Sequence, residues 1–193
     1  IPFQGKTANN KEGKPNLIYI MADQLRYDVL GYSGDKVAIT PNIDKLATQS
    51  VNFTNAITCG PVSAAHRASL FTGKYVSSTG MVINELRINP NQKTLAHVLN
   101  EAGYETAYIG KWHLYGNCSD HDNDSCAFIP KGPYRLGFNG VWKAYNFHHN
   151  YKNAYYYEDE PVKIRYGEGT FEPEIQFNQA MEYIDGAAKT DKP

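Results

Sequence analysis

The sequence has few cysteines, almost no net charge and no hydrophobic run long enough to cross a membrane. None of its apolar stretches reaches the roughly 18 residues that a transmembrane helix requires. The formal charge is −1, from 19 basic and 20 acidic residues. Without an excess of positive charge, nothing indicates binding to nucleic acid or to an anionic membrane surface. We therefore expect neither kind of partner.

The three cysteines leave the redox environment open. Cys118 and Cys126 flank a polar loop that a disulfide could close, which is typical of an exported protein. Two unlinked thiols are the alternative for this pair. The polar lead-in of residues 1–15, which lacks an initiator methionine, is typical of an N-terminus after removal of a signal peptide. The sequence thus favours a periplasmic or secreted location.

The 193 residues, 41% of them hydrophobic, suit one packed domain. Short apolar runs alternate with stretches that carry helix caps and stop signals. The predicted strands are residues 17–22, 51–57 and 105–110, and the predicted helices are residues 41–50, 63–71, 94–103 and 173–188. The last helix has an apolar stripe of Phe177, Met181, Ile184 and Ala188. This alternation predicts an α/β fold, with a mostly parallel sheet between layers of helices.

Side chains suited to chemistry follow two of these predicted strands. Asp23 and Gln24 come after the first strand, and Lys111 and His113 follow the strand of residues 105–110. In parallel α/β sheets, ligands bind beyond the carboxyl ends of the strands. We therefore expect these side chains to contribute to a binding site.

Two candidate nucleophiles, Cys59 and Ser63, lie four residues apart. Ser63 is predicted to be the N-cap of a helix, because its hydroxyl can accept from backbone N–H groups of the first turn. Arg67 lies one helical turn later and projects back toward that end. A helix N-terminus beside a guanidinium favours an anion. The alternative is a capped helix with a surface arginine.

Three motifs resemble those of the type I sulfatases, members of the alkaline phosphatase superfamily. The stretch 63–67, Ser-Ala-Ala-His-Arg, resembles their signature of Cys or Ser, any residue, Pro or Ala, any residue and Arg. A Thr-Gly pair normally follows, with Thr nine residues after the nucleophile; Thr72 fits that spacing from Ser63 and not from Cys59. Residues 15–24 resemble the family's first strand and metal ligand, and residues 110–114 resemble its Gly-Lys-Trp-His-Leu motif.

The resemblance implies an alkaline phosphatase-like fold and a calcium-dependent sulfuric ester hydrolase. Residues 16–193 would form the N-terminal part of the catalytic domain, after a lead-in of residues 1–15. The family places a second pair of metal ligands, a leaving-group histidine and another lysine further along the chain. We therefore expect these groups after Pro193, and we predict that residues 1–193 alone do not turn over substrate.

The resemblance also implies a modified nucleophile and a metal. Ser63 would be oxidised to formylglycine, whose hydrated form, a geminal diol, attacks sulfur and displaces the substrate alcohol. The resulting adduct then releases sulfate by elimination. Asp23, with Gln24 as an amide-oxygen ligand, would hold Ca²⁺ together with the diol at position 63. A hard cation of this kind takes oxygen ligands.

Three basic side chains receive roles from the same resemblance. Arg67 would stabilise the ionised diol, Lys111 would bind a sulfate oxygen, and His113 would hydrogen-bond the diol. These are charge-assisted contacts to developing negative charge.

The signature departs from its commonest form at Ala65, where proline is usual, and at His66, where serine is usual. Serine followed by alanine resembles the bacterial type of signature, which a radical maturation enzyme converts. A serine engineered in place of a native cysteine is the other interpretation of position 63.

The aromatic stretch 142–151 contains His148 and His149, which could line a sugar site. The alternative is an aromatic loop packed on the sheet. Taken together, the sequence favours a sulfated carbohydrate as the substrate. The rival functions are a phosphoester hydrolase of the same superfamily that uses unmodified Ser63, and an inactive homologue that binds sulfated glycans.

Overall fold

The computed structural model describes residues 13–116, 124–149 and 152–193. The chain divides into two compact units. One consists of residues 18–58, and the other consists of residues 59–193 with the described residues before 18.

The unit of residues 18–58 is organised around helix α1, Pro41–Thr48, and a 3₁₀ turn at Gly31–Ser33. Pro41 begins the helix, as predicted, because its fixed φ suits the first helical position. Asp44 ties the helix to the turn. Its Oδ1 accepts from the Tyr32 backbone N–H at 2.8 Å and from the Thr40 hydroxyl at 2.9 Å.

Two predicted strands are absent. Residues 17–22 and 51–57 have no β-bridge within the described parts of the chain. Their apolar side chains lie exposed: Ile20 is 72% exposed and Ile57 is 93% exposed. A strand buried on both faces needs hydrogen-bonding neighbours as well as apolar residues, and these runs lack that pairing here. The prediction of strands from apolar content alone was wrong.

The described residues of the second unit form both β-sheets and five α-helices. Its helices are α2 (Ser63–Thr72), α3 (Val76–Thr79), α4 (Leu95–Glu101), α5 (Asp124–Ala127) and α6 (Glu172–Ala187). Its strands are β1 (Tyr108–Lys111), β2 (Trp142–Tyr145), β3 (Tyr155–Tyr156) and β4 (Ile164–Arg165). The predictions of α2, α4 and α6 are confirmed within one or two residues. The strand predicted at 105–110 begins three residues later, at Tyr108.

Strands β1 and β2 are parallel, so their carboxyl ends lie at one edge. Their register pairs Lys111 with Tyr145. The pairing continues beyond the strands, because the Trp112 N–H donates to the Tyr145 carbonyl and the His113 N–H donates to the Asn146 carbonyl, each at 2.8 Å. Strands β3 and β4 form a separate antiparallel pair.

An aromatic core joins α2 to the parallel strands. The ring centroids of Phe71, Tyr108, Trp112 and Trp142 lie 4.9–6.0 Å from their neighbours. Stacked and edge-to-face pairs of this kind add packing energy to the burial of each ring. The core therefore fixes α2 against the edge where β1 ends.

Helix α6 packs through polar residues rather than through its apolar stripe. Phe177 is 55% exposed, whereas Glu172 and Gln179 are buried. The apolar stripe that contains Phe177 and Met181 is therefore not the face that α6 buries. Helix α6 packs instead on the end of β1, where the polar side chain of Gln176 lies against Gly110.

The structure describes two of the three cysteines. Cys126 is disulfide-bonded and Cys59 is an exposed free thiol. Cys118, like most of the polar loop before Cys126, lies outside the described residues. Among those that are described, no helix has the length and apolar character of a membrane span.

Candidate active site

Ser63 lies at the first turn of α2, one position later than predicted. Val62 is the N-cap residue in extended conformation, and Ser63 begins the helix. The Ala64 N–H of this turn donates to the Asn84 side-chain oxygen at 3.0 Å. Because Ser63 already lies within the first helical turn, its half-buried hydroxyl is not at the capping position.

Arg67 reaches back to Ser63, as their spacing predicts. Its Nε lies 3.4 Å from the Ser63 Oγ, and the side chain is not on the surface, since only 4% of the residue is exposed. Its Nη1 donates to the Lys111 carbonyl at 2.5 Å and to the Tyr108 hydroxyl at 3.1 Å. The guanidinium is thus fixed between the start of α2 and the end of β1.

Tyr108 completes this arrangement, and the sequence interpretation missed it. Its hydroxyl accepts from Arg67 and donates to the Lys111 carbonyl at 2.5 Å. The ring packs on Trp112 and Trp142. A tyrosine three residues before a lysine on a strand is a weak signal by itself, because tyrosine is also a common core residue.

Lys111 and His113 lie together where β1 ends. His113 is buried and has a φ of 53°, in the left-handed region that few non-glycine residues adopt. Such backbone strain is concentrated at functional sites. The Phe147 ring lies 4.4 Å from the His113 ring and 4.8 Å from the Lys111 Nζ. The structure therefore brings both predicted basic residues to one aromatic side chain.

A buried carboxyl group, Glu172, lies at the start of α6 and interacts electrostatically with Lys111. Gln176 donates to its Oε1 at 2.7 Å, and the Tyr145 phenol lies beside it. Burial raises the pKa of Glu172, against the opposing effects of Tyr145, Gln176 and the Lys111 charge. Burial and this carboxylate also raise the pKa of Tyr145 well above its usual value. No sequence pattern predicted a functional role for Glu172.

The two histidines proposed to contact sugar are separated in the structure. His148 is 2% exposed and stacks on Tyr145 at 3.8 Å, which fits the alternative of a packed aromatic loop. Its burial argues against direct contact with substrate. His149 is exposed and meets Phe147 edge-to-face at 4.6 Å. Only His149 has surface available to a ligand.

The predicted metal ligands Asp23 and Gln24 belong to the unit of residues 18–58, and both are exposed. Gln24 has a φ of 49°, the same rare conformation as His113. Carboxylate, amide and hydroxyl oxygens are the donors that Ca²⁺ prefers, so Asp23, Gln24 and Ser63 fit a calcium ion by their chemistry. Histidine, cysteine, aspartate and glutamate form no group of three or more with metal-binding geometry in the described part of the chain.

Proteins with similar sequences include named sulfatases. The chain is 41% identical over 180 residues to an ulvan-active sulfatase of Formosa agariphila, covering 93% of this chain and 34% of that protein. It is 34% identical over 110 residues to an N-acetylglucosamine-6-O-sulfatase of Bacteroides thetaiotaomicron, covering 57% of this chain and 20% of that protein. The crystal structure of yidJ from Bacteroides fragilis matches with a TM-score of 0.78 and 32% identity, over 95% of this chain and 43% of that one.

This structural likeness confirms the expected fold class, an α/β fold of alkaline phosphatase type. The chain spans about a third of the length of the ulvan-active relative. Beyond the fold, residues 15–193 match the Sulfatase family, which includes the segments of Ser63, Arg67, Lys111 and His113. The chain therefore belongs to the Sulfatase family.

Proposed function

We propose that the protein to which this chain belongs hydrolyses sulfate esters of a carbohydrate, with Ser63 at the reacting centre. The observation that carries this proposal is the position of Arg67. Its guanidinium is held beside the Ser63 hydroxyl at the N-terminal end of α2 and tied to the carbonyl of Lys111. A fixed cation at the positive end of a helix is suited to an anionic ester.

The basic residues have complementary roles in this proposal. Arg67 stabilises negative charge on the nucleophile at position 63, because its donors are aimed there and do not need to reorganise. Lys111 neutralises a sulfate oxygen, and His113 hydrogen-bonds the nucleophile. Their common location at the end of β1 and the start of α2 supports these roles.

A calcium ion and a formylglycine at position 63 complete the proposed site. Asp23 and Gln24 would hold Ca²⁺ through their oxygens, and the ion would supply charge to polarise the sulfate. Ser63 would be converted to formylglycine, which supplies a hydrated aldehyde as the nucleophile. The Ser-Ala signature at 63–65 favours maturation by a radical enzyme. If Ser63 replaces a native cysteine, the cysteine would be the residue converted.

A sulfated carbohydrate is the proposed substrate. The names of two relatives support this choice, since they specify ulvan and N-acetylglucosamine, which are both carbohydrates. Exposed His149, next to Phe147 and the basic residues, is the proposed sugar contact. A periplasmic or secreted location would give access to such polymers, and the disulfide at Cys126 is consistent with export.

Mass spectrometry of protein purified from its native host tests the nucleophile. The tryptic peptide of residues 46–67 contains Ser63. We expect it to lack two hydrogen atoms relative to the unmodified sequence, which marks oxidation to the aldehyde. A Ser63→Ala variant, prepared in the same host, is the matched control and should show the mass of unmodified alanine.

Turnover assays on the same preparation separate the rival functions. Hydrolysis of a sulfated sugar, abolished in Ser63→Ala, supports the proposal. Intact serine with preferential turnover of a phosphate ester would establish the phosphoester hydrolase. Intact serine with binding of sulfated glycan but no turnover of either ester would establish the inactive binder. Either of the last two results overturns the proposed sulfatase activity.

A further inference from the structure

Phe147 has contacts with three side chains of the candidate site. Its ring centroid lies 4.4 Å from that of His113 and 4.8 Å from the Lys111 Nζ, and 4.6 Å from the ring of exposed His149. In the sequence, Phe147 is distinguished only by its place in the aromatic stretch 142–151. A single ring thus links two proposed catalytic groups and the proposed sugar contact.

The backbone accounts for this position. Strand β2 pairs in parallel with β1, and the pairing continues to the bond from the His113 N–H to the Asn146 carbonyl. Phe147 is therefore the next residue at the carboxyl edge of the sheet. Asn146 is itself buried, and its amide donates to the Gly116 carbonyl and accepts from the Tyr115 N–H. These bonds hold the loop after His113 against the residue that precedes Phe147.

The contacts of Phe147 restrict both basic side chains. An ammonium group over an aromatic face is attracted by the ring quadrupole, so the ring favours one region for the otherwise flexible lysine side chain. The imidazole of His113 is tilted by 32° to the same ring. Because a catalytic group displaced by about 1 Å loses much of its effect, a shared surface that fixes both groups has a direct consequence for rate.

We propose that Phe147 is the positioning residue of this site: its ring holds Lys111 and His113 in the arrangement that receives the sulfate group. This inference rests on the proposed function for its reaction, and on the three contacts for its geometry. His149 then marks the rim of the same ring, next to the sugar. Phe147 itself makes no covalent or proton-transfer step.

Three variants of the native protein test the proposal. Phe147→Met keeps an apolar side chain of similar length but removes the ring. Phe147→Tyr keeps the ring face. Phe128→Leu is the matched control, because Phe128 is also half-buried and packs on Tyr157 in a separate aromatic cluster. All three are compared by melting temperature before their kinetics are measured on a sulfated sugar.

We expect kcat of Phe147→Met to fall roughly tenfold or more, with a smaller change in KM, since the lost interaction orients groups used in the transition state. Phe147→Tyr should stay within about threefold of the unaltered protein, because the tyrosine ring also attracts a cation. Phe128→Leu should retain its kcat. Equal kcat in Phe147→Met and Phe128→Leu would overturn the proposal. A rise in KM alone would also overturn it and would make Phe147 a sugar contact.

Calorimetric titration with inorganic sulfate separates this inference from the proposed function. If the native protein hydrolyses no sulfate ester, the proposed function fails, but sulfate binding can still be compared. A weaker affinity in Phe147→Met, restored in Phe147→Tyr, supports the positioning role. The same sulfate affinity in all three variants contradicts it. If Phe147→Met does not fold, the comparison of Phe147→Tyr with Phe147→Leu replaces it.

Discussion

Arg67, Tyr108 and the carbonyl of Lys111 form the best-defined polar contacts of the candidate site. The spacing between Ser63 and Arg67 predicted one side of this arrangement, because residues four apart share a helix face. The other side depends on Tyr108, which lies 41 residues from Arg67 in sequence. Contacts over such a separation are set by the packing of α2 on β1, which no local pattern encodes.

Removing the Tyr108 hydroxyl should impair the site while leaving the aromatic core in place. In Tyr108→Phe, Arg67 loses an acceptor and the Lys111 carbonyl loses a donor. We expect the free energy of unfolding to fall by about 1–2 kcal/mol and kcat to fall roughly tenfold. Urea denaturation and turnover of a sulfated sugar measure the two effects.

Tyr104→Phe is the control for that comparison. Its exposed hydroxyl donates to the Pro15 carbonyl at 3.0 Å, away from Arg67. An exposed hydrogen bond contributes little, so the free energy of unfolding should change by less than about 0.5 kcal/mol. The kcat of Tyr104→Phe should stay close to that of the unaltered protein. If Tyr104→Phe and Tyr108→Phe have the same free energy of unfolding and the same kcat, the Tyr108 hydroxyl does not position Arg67.

Glu172 should make stability depend on pH. Its carboxyl faces Tyr145 from β2, Gln176 from its own helix and the Lys111 charge from β1, and Tyr166 lies near it. Because burial raises its folded pKa above the usual 4.5, the native state retains a proton that the unfolded state releases. Its contribution therefore destabilises the fold as pH rises from 4.5 through the raised folded pKa.

The variant Glu172→Gln removes this titration. We expect the melting temperature of Glu172→Gln, relative to the unaltered protein, to increase as pH rises through that window. Glu174→Gln is the matched control, since Glu174 lies in the same helical turn but is exposed. If the melting temperatures of the two variants change with pH in the same way, Glu172 is not a buried, destabilising carboxyl.

At the scale of elements, end signals predicted helices better than apolar content predicted strands. Thr94 is the N-cap of α4, and Gly73, in the left-handed conformation, is the C-cap of α2. These signals act within one turn, so they are readable locally. The strand at 17–22 had only its apolar run, and pairing is a property of the neighbouring segment. Strand β2 was not predicted for the same reason. Asn146 and Phe147, which follow it, were therefore not recognised as residues at the carboxyl end of a parallel strand, where ligands bind.

The loop that leads to β2 is held to α4 by contacts at Gly137. The Asn100 amide donates to the Gly137 carbonyl at 2.5 Å, and the Thr106 hydroxyl does so at 3.2 Å. Gly137 has a φ of +94°, and an added Cβ would lie 2.8 Å from the His97 backbone nitrogen. This glycine therefore permits both an unusual backbone conformation and a close approach of the helix.

Gly137→Ala should destabilise the protein more than Gly132→Ala does. Gly132 also has a positive φ, +124°, but open space where the Cβ would lie. Both variants carry backbone strain of about 1–3 kcal/mol, and Gly137→Ala adds overpacking of about 1–3 kcal/mol. Denaturant midpoints of the two variants give the difference directly. Equal destabilisation would show that α4 moves away at no measurable cost.

At the scale of the whole molecule, the residues that the sequence predicts to be functional are divided between the two compact units of the chain. Ser63, Arg67, Lys111 and His113 lie in the larger unit, whereas Asp23 and Gln24 lie in the unit of residues 18–58. The sequence motifs identified the family from all three segments at once. The structure accounts for the contacts among the groups of the larger unit. The metal ligands remain a prediction from the sequence.

Calcium should therefore stabilise the native protein through Asp23. A ligand that binds only the folded state, at 100 times its Kd, adds about 2.7 kcal/mol to the free energy of unfolding. We expect the melting temperature to rise with added Ca²⁺ after dialysis against a chelator. In Asp23→Asn this rise should be lost or require much higher Ca²⁺, because the ion loses the only carboxylate among the predicted ligands Asp23, Gln24 and residue 63.

Asp28→Asn provides the comparison within the same unit. Asp28 is exposed and pairs with Arg26 at 2.6 Å, and an exposed ion pair contributes at most about 1 kcal/mol. The variant should keep the full thermal response to Ca²⁺, whatever its starting melting temperature. A calcium response that survives in Asp23→Asn and is lost in Asp28→Asn would place the metal elsewhere on this unit. It would also remove Asp23 from the proposed catalytic site.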